Sequence, residues 1–304
     1  MDKVKFRREN SDMNEKFQGI FTALLTPFDK NFKVNHKELK RLIEMNIEKG
    51  VSGFYVCGST GEAFLMDEDE RTEVMRTVAE TVAGRCTIIA HIGSVNMMEA
   101  VRLAKKAEKF GYDAVSSVAP FYYKFSFDEI KSYYFSIADS VNIPMILYNI
   151  PLYSGVSMNE ENLAVFLNDD RFLGVKHTSN DYFLLERMKK AFPEKVFFNG
   201  FDEMLLPGLI MGADGAIGST YNFMPDKFVR LFTAFKSGDI EGAQAIQHEA
   251  NDIIKALIKT GCVMAAEKEV LCLMGYDMGS CRPPFKTLSA DESLYLKENV
   301  IPLL

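Results

Sequence analysis

Short apolar runs rich in Val, Ile, Phe and Tyr alternate with longer stretches of helical period, and the pair recurs at spacings of roughly 20 to 35 residues from Gly19 onward. There are about eight such runs, the number a closed barrel needs. Beyond Gly238 the runs stop and only helical stretches follow. Together these observations predict an α/β protein: a (β/α)8 TIM barrel over 18–238 with a C-terminal helical extension over 239–304, preceded by an N-terminal arm over 1–17 whose order the sequence leaves open. An open doubly wound sheet and a two-domain split are the alternatives. The first lacks a glycine-rich first turn and the second lacks a Pro/Ser-rich linker.

The expected strands are Ile20 to Phe28, Gly53 to Gly58, Thr87 to Gly93, Ala114 to Pro120, Met145 to Pro151, Phe172 to Thr178, Val196 to Gly200 and Gly215 to Ser219. Helix starts fall between them. Asn35 with Glu38 three residues later reads as a capping box ahead of Leu39, Leu42 and Ile43. Asp67 precedes the acidic Glu68-Asp69-Glu70, which suits the positive end of a helix dipole, and Asn96 leads into a helix over Met97 to Phe110. Pro225 and Asp226 open another helix that stops near Ser237-Gly238. In the extension, helices are expected near Ile240 to Lys259, Val263 to Met274 and Asp291 to Asn299.

Composition narrows the function classes. Hydrophobic residues make up 47% and charged residues 25%, the balance of an ordinary globular protein. Lys and Arg number 35 against 42 Asp and Glu, for a net charge of −7, and the basic residues are scattered, which argues against nucleic-acid binding. No apolar run has the length of a membrane span, and the charged stretch Met1 to Phe17 lacks the apolar centre of a signal peptide, so a cytoplasmic location is expected. The five cysteines show no metal-ligand spacing and read as inert thiols. The four histidines are too far apart for a local ligand motif, and no metal is expected.

One residue breaks the pattern. Lys176 interrupts the apolar Phe172-Leu173-Gly174-Val175-Lys176-His177-Thr178 run, and period-2 alternation puts Phe172, Gly174, Lys176 and Thr178 on one face. Low dielectric lowers the pKa of an unpaired lysine toward the neutral amine, a nucleophile able to form a Schiff base. A lysine at a strand end that reaches solvent is the competing reading. Barrel active sites form at the C-terminal strand ends, so the polar residues there test the choice. Gly58-Ser59-Thr60-Gly61-Glu62 offers hydroxyls and N–H groups to a carboxylate or phosphate. Tyr148 ends the fifth strand, and Thr178 lies beyond Lys176 on its face. The seventh strand ends in Gly200-Phe201-Asp202-Glu203 and the eighth in Gly218-Ser219-Thr220-Tyr221-Asn222. Asp202 and Glu203 also suit a helix start, so alone they are ambiguous. Five polar clusters at one end favour a site.

These residues resemble a known family. Gly58 to Glu62 (GSTGE), Tyr148 to Pro151 (YNIP), Gly174 to Lys176 (GVK) and Gly212 to Ser219 (GADGAIGS) are similar to the motifs of the class I pyruvate-dependent lyases that include the dihydrodipicolinate synthases and the N-acetylneuraminate lyases. Phe198 to Glu203 resembles the segment that holds sugar hydroxyls in the sialic acid branch. The arginine that synthases carry after YN-x-P is missing from Leu152-Tyr153-Ser154-Gly155. The resemblance implies a Schiff-base lyase that needs no cofactor and reversibly cleaves N-acetylneuraminate, a sialic acid, to N-acetylmannosamine and pyruvate. It implies Lys176 as nucleophile, Tyr148 as proton relay, Ser59 and Thr60 on the substrate carboxylate, and Thr178, Gly200, Asp202, Glu203 and Ser219 on the departing hydroxyl and polyol. Tyr122 resembles a tyrosine that neighbouring subunits lend to each other's sites, which implies a homotetramer. His177, of outward parity, reads as structural. A 2-keto-3-deoxy sugar acid aldolase, a synthase with an altered site and a non-catalytic keto-acid or sialic-acid binder remain the alternatives.

Overall fold

The computed structural model describes residues 15–304. Eight parallel strands close into a barrel in chain order: β1 (Gly19–Ala23), β2 (Gly53–Val56), β3 (Thr87–His91), β4 (Ala114–Val118), β5 (Met145–Asn149), β6 (Phe172–His177), β7 (Val196–Asn199) and β8 (Gly215–Gly218). Closure is made by β1 against β8, with Gly19 beside Gly215 and Phe21 beside Ile217. The first strand is shorter than its apolar run: after Ala23 the chain leaves the sheet, and Leu25 N–H donates instead to Asn222 Oδ1.

Two apolar layers follow from strand alternation. Inside the barrel lie Phe21, Ala23, Tyr55, Ile89, Ile146, Tyr148, Leu173, Phe198 and Ile217, with Phe17 also in this cluster. The expected arm over 1–17 otherwise lies mostly outside the described residues. Outward positions such as Phe54, Val56, Ala90, Val115, Leu147 and Val175 pack under the helices. Alternation along β6 is not regular. Phe172 faces out against Phe135 and Phe166, while Leu173 faces in. The pairing with β5 slips one residue here, from Met145 opposite Phe172 to Ile146 opposite Gly174. This bulge corrects the expectation that Phe172 shares the face of Lys176, and it restores the inward aim of the lysine.

The helices that follow the strands are α1 (His36–Glu48), α2 (Glu68–Val82), α3 (Met97–Lys109), α4 (Phe127–Ala138), α5 (Pro151–Ser154), α6 (Glu160–Leu167), α7 (Tyr182–Ala191), α8 (Leu205–Ile210) and, after β8, α9 (Pro225–Lys236). Asn35 caps α1 by accepting from Glu38 N–H, but the expected box is half made. Glu38 turns its carboxylate to Arg41 and to the Asp277 N–H instead. Full capping boxes form at Asp67/Glu70 and at Ser126/Glu129. The extension comprises α10 (Ile240–Lys259), α11 (Val263–Leu273) and α12 (Ala290–Asn299). Ala250, Ile253, Leu257, Ala266, Val270, Leu271 and Leu296 join the same apolar cluster as the outer barrel layer. Among the described residues no helix is long and apolar enough to cross a membrane.

Candidate active site

The C-terminal strand ends gather most of the residues singled out above. Lys176 on β6 is 4% exposed, and its Nζ sits 4.2 Å from the centre of the Tyr55 ring and 4.1 Å from that of Tyr148. Burial brings its pKa down from 10.5 to about 7, with the Asp202 carboxylate pulling the other way. Aromatic faces attract the ammonium only weakly compared with water, so the amine is poised near neutrality. The competing strand-end reading therefore fails for Lys176.

Tyr148 on β5 lies opposite Lys176 in the ladder. Burial pushes its phenol up to about 12, although the hydroxyls of Thr178 and Ser59 favour the ionised form. The Thr178 contact is too imperfect to count as a hydrogen bond, since Thr178 Oγ1 is buried without a partner. Gly200 closes over this hydroxyl: a Cβ there would lie 1.8 Å from Thr178 Oγ1. The bare backbone after β7 is what leaves room beside it.

Ser59 and Thr60 follow β2 in a tight turn in which Gly61 N–H donates to the Gly58 carbonyl and Glu62 N–H to the Ser59 carbonyl. Both are half-buried. Glu62 takes a left-handed backbone and sends its side chain away from the turn, where it pairs with Lys268 of α11 at 2.6 Å and accepts from Arg282 N–H at 2.7 Å. Lys268 and Glu62 are 1% and 0% exposed at their side chains. The turn that presents the two hydroxyls is thereby fastened to the extension.

Asp202 opens the short helical turn after β7. Its Oδ2 accepts from the Thr220 N–H at 2.9 Å and the Thr220 hydroxyl at 2.7 Å, while Oδ1 is buried and unpartnered. Burial raises its pKa to about 6 against these two donors. Gly218 permits this approach, because a Cβ would stand 1.9 Å from Asp202 Oδ1. Glu203 is half-buried beside it, and Ser219 Oγ donates to Glu267 Oε1 at 2.6 Å. The extension also grips this side: Gln247 Nε2 donates to the Asp202 carbonyl at 3.0 Å and Asn251 Nδ2 to the Glu203 carbonyl at 3.1 Å.

Tyr122 stands apart, 87% exposed with φ of 77°. The fold does not bring it to its own chain's lysine. His177 bridges Asn149 at 3.1 Å and the Asp181 carbonyl at 3.0 Å, an outward structural link. Among the described residues no group of three His, Cys, Asp or Glu side chains is placed to hold a metal ion. Sequence reasoning passed over Tyr55, Glu267 and Lys268. For Glu267 a signal existed: with Ala266, Val270 and Leu271 on the buried face of α11, position 267 falls on that face too.

Known proteins resemble this chain over most of its length. The N-acetylneuraminate lyase of Clostridium perfringens (strain 13 / Type A) is 44% identical over 282 residues, 92% of this chain and 98% of that protein. Among solved structures, CdNal from Clostridium difficile in complex with mannosamine superposes with a TM-score of 0.92 at 41% identity, covering 94% of this chain and 99% of that one. The N-acetylneuraminate lyase from Fusobacterium nucleatum complexed with pyruvate gives a TM-score of 0.90 at 40% identity, covering 95% and 98%. Residues 16–301 match the model of the dihydrodipicolinate synthetase family, and the chain belongs to that family.

Proposed function

We propose that the chain is a class I aldolase that reversibly cleaves N-acetylneuraminate to N-acetylmannosamine and pyruvate. The observation that carries the reading is the Lys176 amine, enclosed between two tyrosine rings and brought to a pKa of about 7. Relatives bearing the lyase name over nearly their full length support the choice of substrate. So does the missing cation after Pro151, where α5 carries Leu152, Tyr153 and Ser154 and offers nothing to a second acidic substrate.

Neutral Lys176 attacks the C2 ketone of the open-chain sugar, and loss of water leaves a protonated imine that serves as electron sink. Ser59 and Thr60 hold the C1 carboxylate and so align the ketone. Tyr148 takes the proton from the C4 hydroxyl as the C3–C4 bond breaks, and the bonding pair flows into the iminium to give an enamine. Raised to about 12, Tyr148 begins as the phenol; it gives that proton to the C2 hydroxyl that leaves as water and so becomes the phenolate that later takes the C4 proton, a loss that a cation forming beside it favours. The iminium, generated where Nζ stood 4.1 Å from the ring centre, supplies that cation. The enamine is protonated at C3, and water releases pyruvate and the free lysine. Thr178 meets the C4 hydroxyl, while Gly200, Asp202, Glu203 and Ser219 receive the polyol. The chemistry asks for no cofactor.

We further infer a homotetramer in the cytoplasm. Tyr122, Tyr123, Leu152, Tyr153 and Phe183 are 87%, 63%, 76%, 72% and 74% exposed on the segments following three successive strands, which suits a surface covered by another copy. Five unpaired cysteines suit a reducing compartment.

The test is pyruvate release from N-acetylneuraminate, coupled to lactate dehydrogenase. Release that disappears in Lys176→Ala supports the reading. Release that persists in that variant overturns the mechanism. No release from the wild type, with pyruvate still trapped on Lys176 by borohydride, overturns the substrate and leaves the nucleophile.

A further inference from the structure

The extension drives one carboxyl into the mouth of the barrel for which the mechanism above has no role. Glu267 is 0% exposed on α11, where its neighbours Ala265, Ala266 and Val270 are small or apolar. Its Oε1 accepts from Ser219 Oγ at 2.6 Å, and its Oε2 has no partner. A buried carboxyl satisfied on one oxygen alone is a costly way to fill a core. The cost is not scattered. Among the described residues five buried side-chain atoms lack a partner, and four of them, Thr178 Oγ1, Asp202 Oδ1, Tyr221 Oη and Glu267 Oε2, belong to the segments after β6, β7 and β8 and to the helix that covers them. The fifth, Arg71 Nε, lies on α2. Orphaned oxygens gathered at one end are a site built for something rich in hydroxyls.

We propose that Glu267 is a positioning residue for this site: by holding Ser219, it fixes the polyol end of the pocket and sets the preference for long hydroxylated substrates over short aldehydes. The proposal rests on the aldolase reading above. With its hydroxyl proton committed to Glu267, Ser219 presents lone pairs to the ligand and accepts from a substrate hydroxyl; without Glu267 the serine is free to rotate. Asp202, bonded to Thr220 beside Ser219, needs a donor as well, since Thr220 fills Oδ2 alone. One substrate chain bearing adjacent hydroxyls can serve both Ser219 and Asp202. The charged group acting on Glu267 is Asp202, and on its own helix the adjacent Lys268 is engaged by Glu62. Burial and the Asp202 carboxylate push Glu267 up to about 8, so at neutral pH it is mostly the acid, and the pair does not repel.

The test compares Glu267→Leu and Glu267→Gln in the full chain, in steady-state cleavage of N-acetylneuraminate and in condensation of pyruvate with two aldehydes, N-acetylmannosamine and glyceraldehyde. For Glu267→Leu, KM for N-acetylneuraminate is expected to rise roughly 10- to 100-fold with kcat changed far less. Trapping of pyruvate on Lys176 should hold within twofold, and the ratio of N-acetylmannosamine to glyceraldehyde use should fall by the factor lost in KM. Glu267→Gln keeps an acceptor for Ser219 and should restore KM to within about threefold. An unchanged KM, an unchanged aldehyde ratio, or parallel losses in kcat, KM and trapping that Gln does not rescue would overturn the proposal. If Glu267→Leu folds poorly, Glu267→Met asks the same question with the same readings. If the wild type does not cleave N-acetylneuraminate, the aldolase reading has failed on its substrate; a ratio of polyol to short aldehydes unmoved by the Leu variant then overturns this inference separately.

Discussion

Titration of Lys176 can be followed in the folded protein without turnover. An ordinary lysine at 10.5 is neutral in about one molecule in 3,000 at pH 7, whereas one at about 7 is neutral in about half. At about 1.4 kcal/mol per tenfold change, burial in the barrel costs the ammonium about 5 kcal/mol. Two consequences follow with definite sign. The rate at which subsaturating pyruvate and cyanoborohydride modify Lys176, followed by mass spectrometry, should climb tenfold per pH unit below 7 and flatten above it. On the stability side, the unfolded chain holds this proton up to 10.5 and the folded chain releases it above about 7. Between those values the unfolded state binds more protons, so the contribution of this group to stability rises with pH and the full penalty is felt below 7. Lys176→Met removes the penalty. Its urea midpoint should therefore exceed that of the wild type at pH 6 to 7, by an amount that shrinks toward pH 10. A modification rate still climbing beyond pH 9, or a Met variant no more stable than wild type at pH 7, would refute the account of a desolvated amine.

Two other substitutions separate roles that the structure distinguishes. Tyr148→Phe should slow cleavage about 10²- to 10⁴-fold while the trapped imine still forms, because the phenol moves a proton and the ring alone flanks the amine; loss of trapping with turnover intact would reverse the assignment. Lys268→Met leaves the Glu62 carboxylate buried without its cation, with the Arg282 N–H and the Cys281 thiol beside it, and should destabilise by about 3–5 kcal/mol in denaturant unfolding. Adding Glu62→Leu should recover most of that loss, and a double variant as unstable as the single one would show that the pair is not the cause.

The eight strands were legible because buried parallel strands read as apolar runs, and Lys176 was legible because it interrupts one of them. Strict alternation failed at Phe172 because register belongs to the pair of strands: the slip opposite Met145 is set by how β5 and β6 meet. The half-made cap at α1 failed for a related reason. Glu38 suits a capping box locally, but Arg41 beside it and Asp277 from the far end of the chain compete for its carboxylate. The strand-end polar residues could be named as candidates because barrel topology says where to look. Glu267 and Lys268 escaped because an adjacent acid and base on a helix ordinarily face water, and only the covering position of α11 takes both inside.

Four residues of the extension, Gln247, Asn251, Glu267 and Lys268, each hold a different piece of the mouth: the Asp202 carbonyl, the Glu203 carbonyl, Ser219 and Glu62. The eight-stranded unit ending near 238 is therefore not the smallest working machine. A chimera that joins this barrel to the tail of a relative would inherit a pocket whose walls were cut to fit another clamp. Insertion of one residue ahead of 267 in α11 would turn both charged side chains by about 100° and release the turn at Glu62 and the Ser219 segment at once. If Glu267 acts as proposed, substrate range in this chain is open to change from helices that touch no reacting atom, and laboratory selection for new aldehydes has a second territory there, remote from the lysine.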